Sequence, residues 1–224
     1  MAAMVSKLIT MEEAAELIQD GIRLMYGGFG GMGSPDHLID QILDKGVRDL
    51  TLIGNDAGFS NRGIGKLITQ ERVKKMLTTH IGSNPQAGRQ MMEGKLEVIF
   101  FPQGILVEKI RAGGVGIPAI LVEPGMGDVT AKKEQLIVYA GEKYLVEPAL
   151  TADVGIVYAK QADTYGNLIY EKAARNVNPL VAMAAQTTIA EVEEIVPVGE
   201  LDPESIVTPG IFVDYIVLTR GGNG

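Results

Sequence analysis

Residues 23–35 read Arg23-Leu24-Met25-Tyr26-Gly27-Gly28-Phe29-Gly30-Gly31-Met32-Gly33-Ser34-Pro35. A short apolar run empties into five glycines within seven residues, and Ser34-Pro35 then has the composition of a helix start. Glycine admits positive φ and lets another molecule approach the main chain closely. At the start of the following helix, free N–H groups and the positive end of the dipole favour a phosphate or carboxylate oxygen. The stretch therefore predicts strand, ligand-receiving loop and helix, the opening of a βαβ unit with parallel strands.

Upstream, Thr10 and Glu13 have capping-box spacing, Ala14, Leu17 and Ile18 form an apolar stripe, and Gly21 follows, which predicts a helix over 11–20. The first strand is then Ile22 to Tyr26. Downstream, Ser34 is the expected cap of a helix that has Pro35 at its first position, faces Leu38, Ile39, Ile42 and Leu43 inward and ends at Gly46. A second strand, Asp49 to Gly54, exits through Asn55-Asp56-Ala57-Gly58. The pattern continues with a short helix over 64–69, a strand over 73–81, a helix opened by Asn84-Pro85 and a strand over 96–101. That last strand is almost continuously apolar, as for a strand covered on both sides, and it leads through Pro102-Gln103-Gly104 into a helix over 105–112.

From Gly113 to Glu147 the period changes to short alternating runs, 117–122, 135–139 and 143–146, with Gly141 at a turn. This predicts a small antiparallel β flap at about 113–147. The sheet resumes at Val154 to Ala159, Asp163 to Gly166 is a turn, Asn178-Pro179 opens another capped helix, and Thr187 to Val192 is the last clear interior strand. Ile211 to Leu218 is apolar apart from Asp214, so it is either an edge that something must cover or an internal strand. No repeat, low-complexity run or linker interrupts the chain. The expectation is one α/β domain over residues 1–224: a mainly parallel sheet flanked by helices on both faces, with the flap attached.

A net charge of −8 argues against non-specific nucleic-acid or anionic-membrane binding. The apolar runs are strand-length, short of the ~20 residues that span a bilayer, and the first ten residues lack a signal-peptide core; a cytoplasmic chain is expected. With no cysteine and only His37 and His80, neither a thiol nucleophile nor a metal site is expected. His80 reads as a hydrogen-bonded, partly buried residue, His37 as part of a helix's first turn, and Glu191, Glu193 and Glu194 as a solvated charge run.

Gly28, Gly30 and Gly33 also fit the G-x-G-x-x-G spacing of dinucleotide sites, with Asp56 placed like the ribose-binding acid, which would make the chain an NAD(P)-dependent oxidoreductase. Three details oppose it. A full helix precedes the strand, two further glycines enlarge the loop, and Ser34-Pro35 starts the helix only after the third glycine, which in the dinucleotide motif packs helix on sheet.

A closer resemblance runs along nearly the whole chain. Asp20-Gly21, Leu24-Met25, Gly27-Gly28-Phe29 and Gly33-x-Pro35 resemble the signature that class I coenzyme A transferases carry in their α-type chain. Asn55-Asp56-Ala57-Gly58, Gly63-Ile64-Gly65-Lys66-Leu67-Ile68, Ile81-Gly82-Ser83-Asn84-Pro85, Pro102-Gln103-Gly104, Glu108, Ile110-Arg111-Ala112-Gly113-Gly114, Ala173-Ala174-Arg175-Asn176 and Thr208-Pro209-Gly210 extend it. Tyr26 departs from the pattern, where an aliphatic residue is usual.

What the resemblance implies is one subunit of a short-chain acyl-CoA:carboxylate CoA-transferase. It is most similar to the acetate/butyrate–acetoacetate type, with 3-oxoacid and 3-oxoadipate enzymes close behind. The family's reaction runs through a glutamyl-CoA thioester, and the nucleophilic glutamate belongs to the β-type subunit, so no catalytic nucleophile is expected in this chain. An α2β2 assembly is implied, with CoA and its thioesters as substrates and no cofactor. Gly27, Gly28, Phe29, Gly30, Gly31, Met32 and Gly33 resemble the CoA-binding loop. Asn55 and Gln103, amides at successive strand ends, are candidates for the acyl or carboxylate pocket, where a neutral donor can serve an oxyanion without neutralising the glutamate. Their plain alternative is a role in turns. A non-catalytic CoA-binding or assembly protein is the remaining reading.

Overall fold

The computed structural model describes residues 6–125 and 136–223. In chain order the elements are α1 (Met11–Glu16), β1 (Arg23–Tyr26), α2 (Asp36–Lys45), β2 (Leu50–Ile53), α3 (Gly65–Thr69), β3 (Val73–Thr78), α4 (Pro85–Met92), β4 (Glu97–Phe100) and α5 (Gln103–Gly114). They continue as β5 (Ala119–Val122), β6 (Leu136–Tyr139), β7 (Glu142–Pro148), β8 (Ala152–Asp163), β9 (Leu168–Ile169), α6 (Asn178–Ala184), β10 (Ala185–Val196) and β11 (Tyr215–Asn223). Among the described residues the main sheet runs β11-β10-β8-β1-β2-β3-β4, with every pairing along that path parallel and β9 added antiparallel to β8. The flap is a separate antiparallel sheet, β5-β7-β6.

Alternation along the strands explains the layers. Leu24 and Tyr26 of β1 join Leu38, Ile39, Ile42, Leu67 and Ile68 from α2 and α3 on one face. Met25, Ile53 and Leu77 join Leu106, Ile110 and Val181 from α5 and α6 on the other. Period-2 strands thus feed two cores, each fully buried aliphatic side chain worth roughly 1.5–3 kcal/mol. Ile39 is wholly buried in the first core, so Ile39→Ala would cost about 2–5 kcal/mol. From the adjacent pair β1 and β8 the chain winds outward in opposite directions, which makes their C-terminal ends the topological switch point where open α/β sheets place their ligand crevice.

Several local expectations are corrected. Ser34 does not cap α2: the helix starts at Asp36, Pro35 occupies the cap without a side-chain bond, and the N–H of Leu38 is satisfied by Glu191 Oε2 of β10 at 2.9 Å. Glu191 is therefore buried rather than part of a solvated run. Asn178 does not cap α6 either. Its amide turns inward, accepting from the Tyr158 N–H at 3.0 Å and donating to the carbonyls of Gly33 at 2.9 Å and Ala174 at 2.8 Å. β4 is the sheet edge and is only half covered, so its apolar run does not mean burial on both sides. His80 is exposed. The run at 211–218 resolves into a 3-10 turn, Gly210–Phe212, and the start of β11, whose outer edge the chain's own Lys7 and Ile9 cover by hydrogen bonds to Ile216. Thr10 does form the expected capping box with Glu13, and Asn84 caps α4 with Pro85 behind it. Ala140 and Gly141, both at positive φ, close the β6–β7 hairpin, while Gln135 of the expected 135–139 strand lies outside the described residues.

A short internal echo was not visible as a repeat. Gly28-Phe29-Gly30-Gly31-Met32-Gly33 and Gly58-Phe59-Ser60-Asn61-Arg62-Gly63 share the frame Gly-Phe-x-x-x-Gly, one after β1 and one after β2. Both fold as tight hairpins, Phe29 bridging Met32 and Phe59 bridging Arg62.

Candidate active site

The first hairpin closes with the Phe29 N–H on the Met32 carbonyl at 3.0 Å and the Met32 N–H on the Phe29 carbonyl at 3.1 Å. Gly30 and Gly31 form its tip with φ of +57° and +79°, the left-handed pair that a two-residue hairpin of this hand requires. The base of the hairpin is glycine for a different reason. A Cβ at Gly27 would lie 1.6 Å from Asn178 Oδ1, and one at Gly33 2.4 Å from the Ala174 carbonyl oxygen. A Cβ at Gly30, by contrast, would meet nothing within 4 Å.

Three side chains hold this loop. Asn176 Oδ1 accepts from the Gly28 N–H at 3.1 Å, and its Nδ2 donates to the Met32 carbonyl at 3.0 Å. Asn178 fixes the Gly33 end, as described above. Asp56, at the end of β2, accepts from the Gly30 N–H through Oδ2 at 2.9 Å. The same Oδ2 accepts from Asn55 Nδ2 at 2.8 Å, and Asn55 Oδ1 in turn accepts from Gln103 Nε2 at 2.5 Å. One chain of hydrogen bonds therefore runs from the glycine tip through Asp56 and Asn55 to Gln103. Such a chain polarises each successive amide and fixes its direction.

Asn55 is buried and its carbonyl is bonded by the hydroxyls of Thr78 and Thr79, so the residue has no freedom to act as a mobile turn. Gln103 is the first residue of α5 and is exposed to solvent on its outer side. It presents the second hydrogen of its amide nitrogen as a donor at the open end of the network. Tyr26 explains its departure from the aliphatic pattern: its hydroxyl donates to the Asp56 carbonyl at 2.6 Å, and its ring occupies the space a Cβ at Gly54 would need. Burial first, and the Asp56 charge second, push this phenol well above its usual range, so it remains a neutral donor.

The dinucleotide reading does not survive this geometry. Asp56 is buried and its two oxygens already accept from Gly30, Gly58 and Asn55, which leaves none presented to a ribose. The glycines form a protruding hairpin, and α2 begins at Asp36, beyond the last of them.

Two cavities flank the hairpin on the side away from the amide pair. The larger, about 790 Å³, lies over β8, β10 and β11 beside the hairpin and is walled by Gly31 to Ser34, His37, Tyr158, Lys160 and Glu191. Neither Asn55 nor Gln103 lines it. The smaller, about 400 Å³, lies between Phe29 and Met32 and the turn carrying Lys172, Arg175 and Asn176. Size therefore points to one side of the hairpin and the amide network to the other. The network ends in an amide donor on an open surface, while the cavities are separate hollows beside the hairpin. At the larger cavity, Tyr158 and Lys160 bond Glu193, which lowers the glutamate's pKa, with Lys160 the main cause, while burial and Glu193 raise that of the phenol.

The nine candidate residues thus divide into a hairpin and an amide pair that the fold links. Asp56, Asn176 and Asn178 carry the linkage and were not singled out as its parts; an Asn-x-Asn pair ahead of Pro179 reads locally as helix-cap chemistry, and only the fold shows it reaching back to the hairpin.

A sequence model of the family described as Coenzyme A transferase matches residues 8–219. The chain is 45% identical to the alpha subunit of the acetate CoA-transferase of Escherichia coli over 97% of this chain and 99% of that one. It is 48% identical to the corresponding subunit of a probable succinyl-CoA:3-ketoacid coenzyme A transferase of Bacillus subtilis, over 94% of this chain and 89% of that one. Among solved structures, an acyl-CoA transferase from Escherichia coli in a thioester complex with CoA shares the fold at a TM-score of 0.84 and 23% identity. The match covers 96% of this chain but only 50% of that enzyme, so the chain spans about half its length.

Proposed function

The chain belongs to the coenzyme A transferase family, and from that premise we propose that it is the α-type subunit of a short-chain acyl-CoA:carboxylate CoA-transferase of the acetate/butyrate–acetoacetate type. The observation that carries the reading is the hydrogen-bonded line from the glycine hairpin after β1 through Asp56 and Asn55 after β2 to Gln103 after β4, which joins two elements of the site across the sheet, past β3.

In this reading a glutamate of a β-type partner attacks the thioester carbonyl of an acyl-CoA. An acyl-glutamyl anhydride and CoA thiolate form; the thiolate then attacks the glutamyl carbonyl, releasing the first carboxylate and leaving a glutamyl-CoA thioester. The second carboxylate runs the same steps in reverse. Gln103 donates its amide hydrogen to the carboxylate or the developing oxyanion. Asn55 aims Gln103, and Asp56 sets Asn55 and the hairpin in one frame. The hairpin, residues 27–33, receives CoA. No resident cofactor is needed, because CoA enters as substrate. We place the assembly, α2β2, in the cytoplasm; no helix among the described residues is long and apolar enough to cross a membrane.

A second reading within the family, a 3-oxoacid transferase that takes succinyl-CoA, is supported by the 48% identity to the Bacillus subtilis relative. One experiment tests both. With a β-type partner present, the protein should move CoA from acetoacetyl-CoA to acetate or butyrate faster than from succinyl-CoA to acetoacetate. The reverse order of kcat/KM selects the second reading, and micromolar NADH binding without CoA-ester binding overturns both.

A further inference from the structure

The two cavities beside the hairpin differ in charge more than in size. Carboxylates of Asp36, Glu171, Glu191, Glu193 and Glu194 line the larger one against the cations of Arg62, Lys160, Lys172 and Arg220. The smaller is lined by Lys172 and Arg175 and, among the described residues, by no carboxylate. In a chain of net charge −8 this is a place where the charged lining is cationic. Arg175 has no hydrogen bond or ion pair among the described residues, and the only partner of Lys172 is its exposed neighbour Glu171.

The turn that delivers these cations is the one that clamps the hairpin. Asn176, next to Arg175, bonds both the Gly28 N–H and the Met32 carbonyl, so the backbone that carries Arg175 is fixed relative to the loop. Opposite it stand Phe29 and Met32, 44% and 55% exposed, an apolar wall formed by the two bridging residues of the hairpin. Cations on one side and an uncharged apolar wall on the other suit a ligand with phosphate groups at one end and an uncharged arm leading away from them.

We propose that this cavity holds the phosphate-bearing end of the acyl-CoA, with Arg175 and Lys172 as its anion ligands and Phe29 and Met32 against the pantetheine arm. The assignment rests on the functional reading above and adds binding residues outside the glycine loop. It gives the ligand a direction, phosphates on the Arg175 side of the hairpin and thioester on the Gln103 side. Arginine is the principal ligand because its planar fork can bond two phosphate oxygens at once.

The test uses the reconstituted complex and two acyl donors, acetoacetyl-CoA and acetoacetyl-pantetheine, which lacks every phosphate. Arg175→Ala should raise KM for acetoacetyl-CoA about ten-fold or more, the usual effect of a lost charged hydrogen bond, and leave kcat/KM for the pantetheine thioester and KM for acetate unchanged. Arg175→Lys should recover part of the loss, and Arg89→Ala, on the exposed surface of α4, should show none. Adenosine 3′,5′-bisphosphate should bind the wild-type complex, and bind Arg175→Ala more weakly by calorimetry. Equal losses with both donors, or no loss with either, overturn the phosphate assignment while wild-type transfer leaves the functional reading standing. A wild-type complex that transfers no CoA defeats that reading and this assignment with it.

Discussion

The two Gly-Phe-x-x-x-Gly hairpins are built alike and finished differently. The second, residues 58–63, is bolted to the body: Ser60 Oγ donates to Asn84 Oδ1 at 2.9 Å, Thr69 Oγ1 donates to the Ser60 carbonyl at 2.8 Å, and a Cβ at Gly65 would lie 2.0 Å from the Phe59 carbonyl oxygen. The first, residues 28–33, is held at its base by Asn176 and Asn178 and at one tip amide by Asp56. At its tip, no described residue accepts from the Gly31 N–H. Two neighbouring strand ends thus carry the same local frame, tied to the body through the Ser60 hydroxyl and carbonyl in one case and through the Gly30 amide in the other. The difference teaches that the hairpin is a structural device of this sheet, and that Gly30-Gly31 in place of Ser60-Asn61 at one tip is what the proposed CoA site uses.

That contrast can be broken at several strengths. The largest effect should come from the base of the first hairpin. Gly27→Ala forces a methyl into buried Asn178, adding overpacking of about 1–3 kcal/mol to the loss of buried hydrogen bonds worth a further ~1–3 kcal/mol. Denaturant unfolding should show a loss of about 3 kcal/mol or more; near-wild-type stability would mean the base is not packed as described. At the tip the same class of change should spare the fold and remove activity. Gly30→Val meets open space, but a β-branched residue at φ +57° is strained, so stability should fall by only about 1–2 kcal/mol while transfer by the complex is abolished. Retained activity removes the tip from the site.

Gln103→Ala sharpens the other end of the network. Turnover should fall by about 10²–10³-fold, as for a lost oxyanion-hole donor, with the melting temperature unchanged because the residue is exposed. An unaltered turnover number assigns Gln103 to the helix start alone. In the second hairpin, Ser60→Ala should cost only about 0.5–1.5 kcal/mol of stability and no activity; a large activity loss there would erase the distinction between the two hairpins. Smallest of all is an acid effect at the larger cavity. Hydrogen bonds from Lys160 and Tyr158 depress the pKa of Glu193 in the folded chain, so its contribution is present above the unfolded carboxylate value of about 4.5 and is lost as pH falls below that. Glu193→Gln should lower stability slightly near neutrality, with the difference from the wild type shrinking as pH falls below that value.

Much of this was legible from residue order. Period-2 apolar runs broken by Gly and Asn-Pro gave the strand and helix sequence, and the five-glycine stretch located the turn after β1, because those signals are local. What failed was chemistry that crosses the sheet. Ser34 and Asn178 look like caps in a local window, yet α2 takes its cap from Glu191, 153 residues away, and Asn178 is spent on the hairpin. β4 was misjudged because an edge strand and an interior strand have the same composition when helices and loops shield them partly. The glycine loop, Asn55 and Gln103 stand out separately in the sequence, but Asp56, the carboxylate that joins them, reads there only as a ribose ligand or as part of the Asn55-Asp56-Ala57-Gly58 motif. A bond network between three strand ends has no signature in sequence spacing.

The location of the nucleophile tests the half-enzyme reading most directly. The chain would be purified alone, then mixed with acetoacetyl-CoA and a β-type partner, treated with borohydride to reduce the glutamyl thioester, and mapped by peptide mass. The expected result is no transfer by the chain alone, transfer on mixing, and a single modified glutamate on the partner. A modified glutamate within residues 1–224, or robust transfer from acetoacetyl-CoA to acetate by the pure chain, would contradict it and move the nucleophile into this sequence.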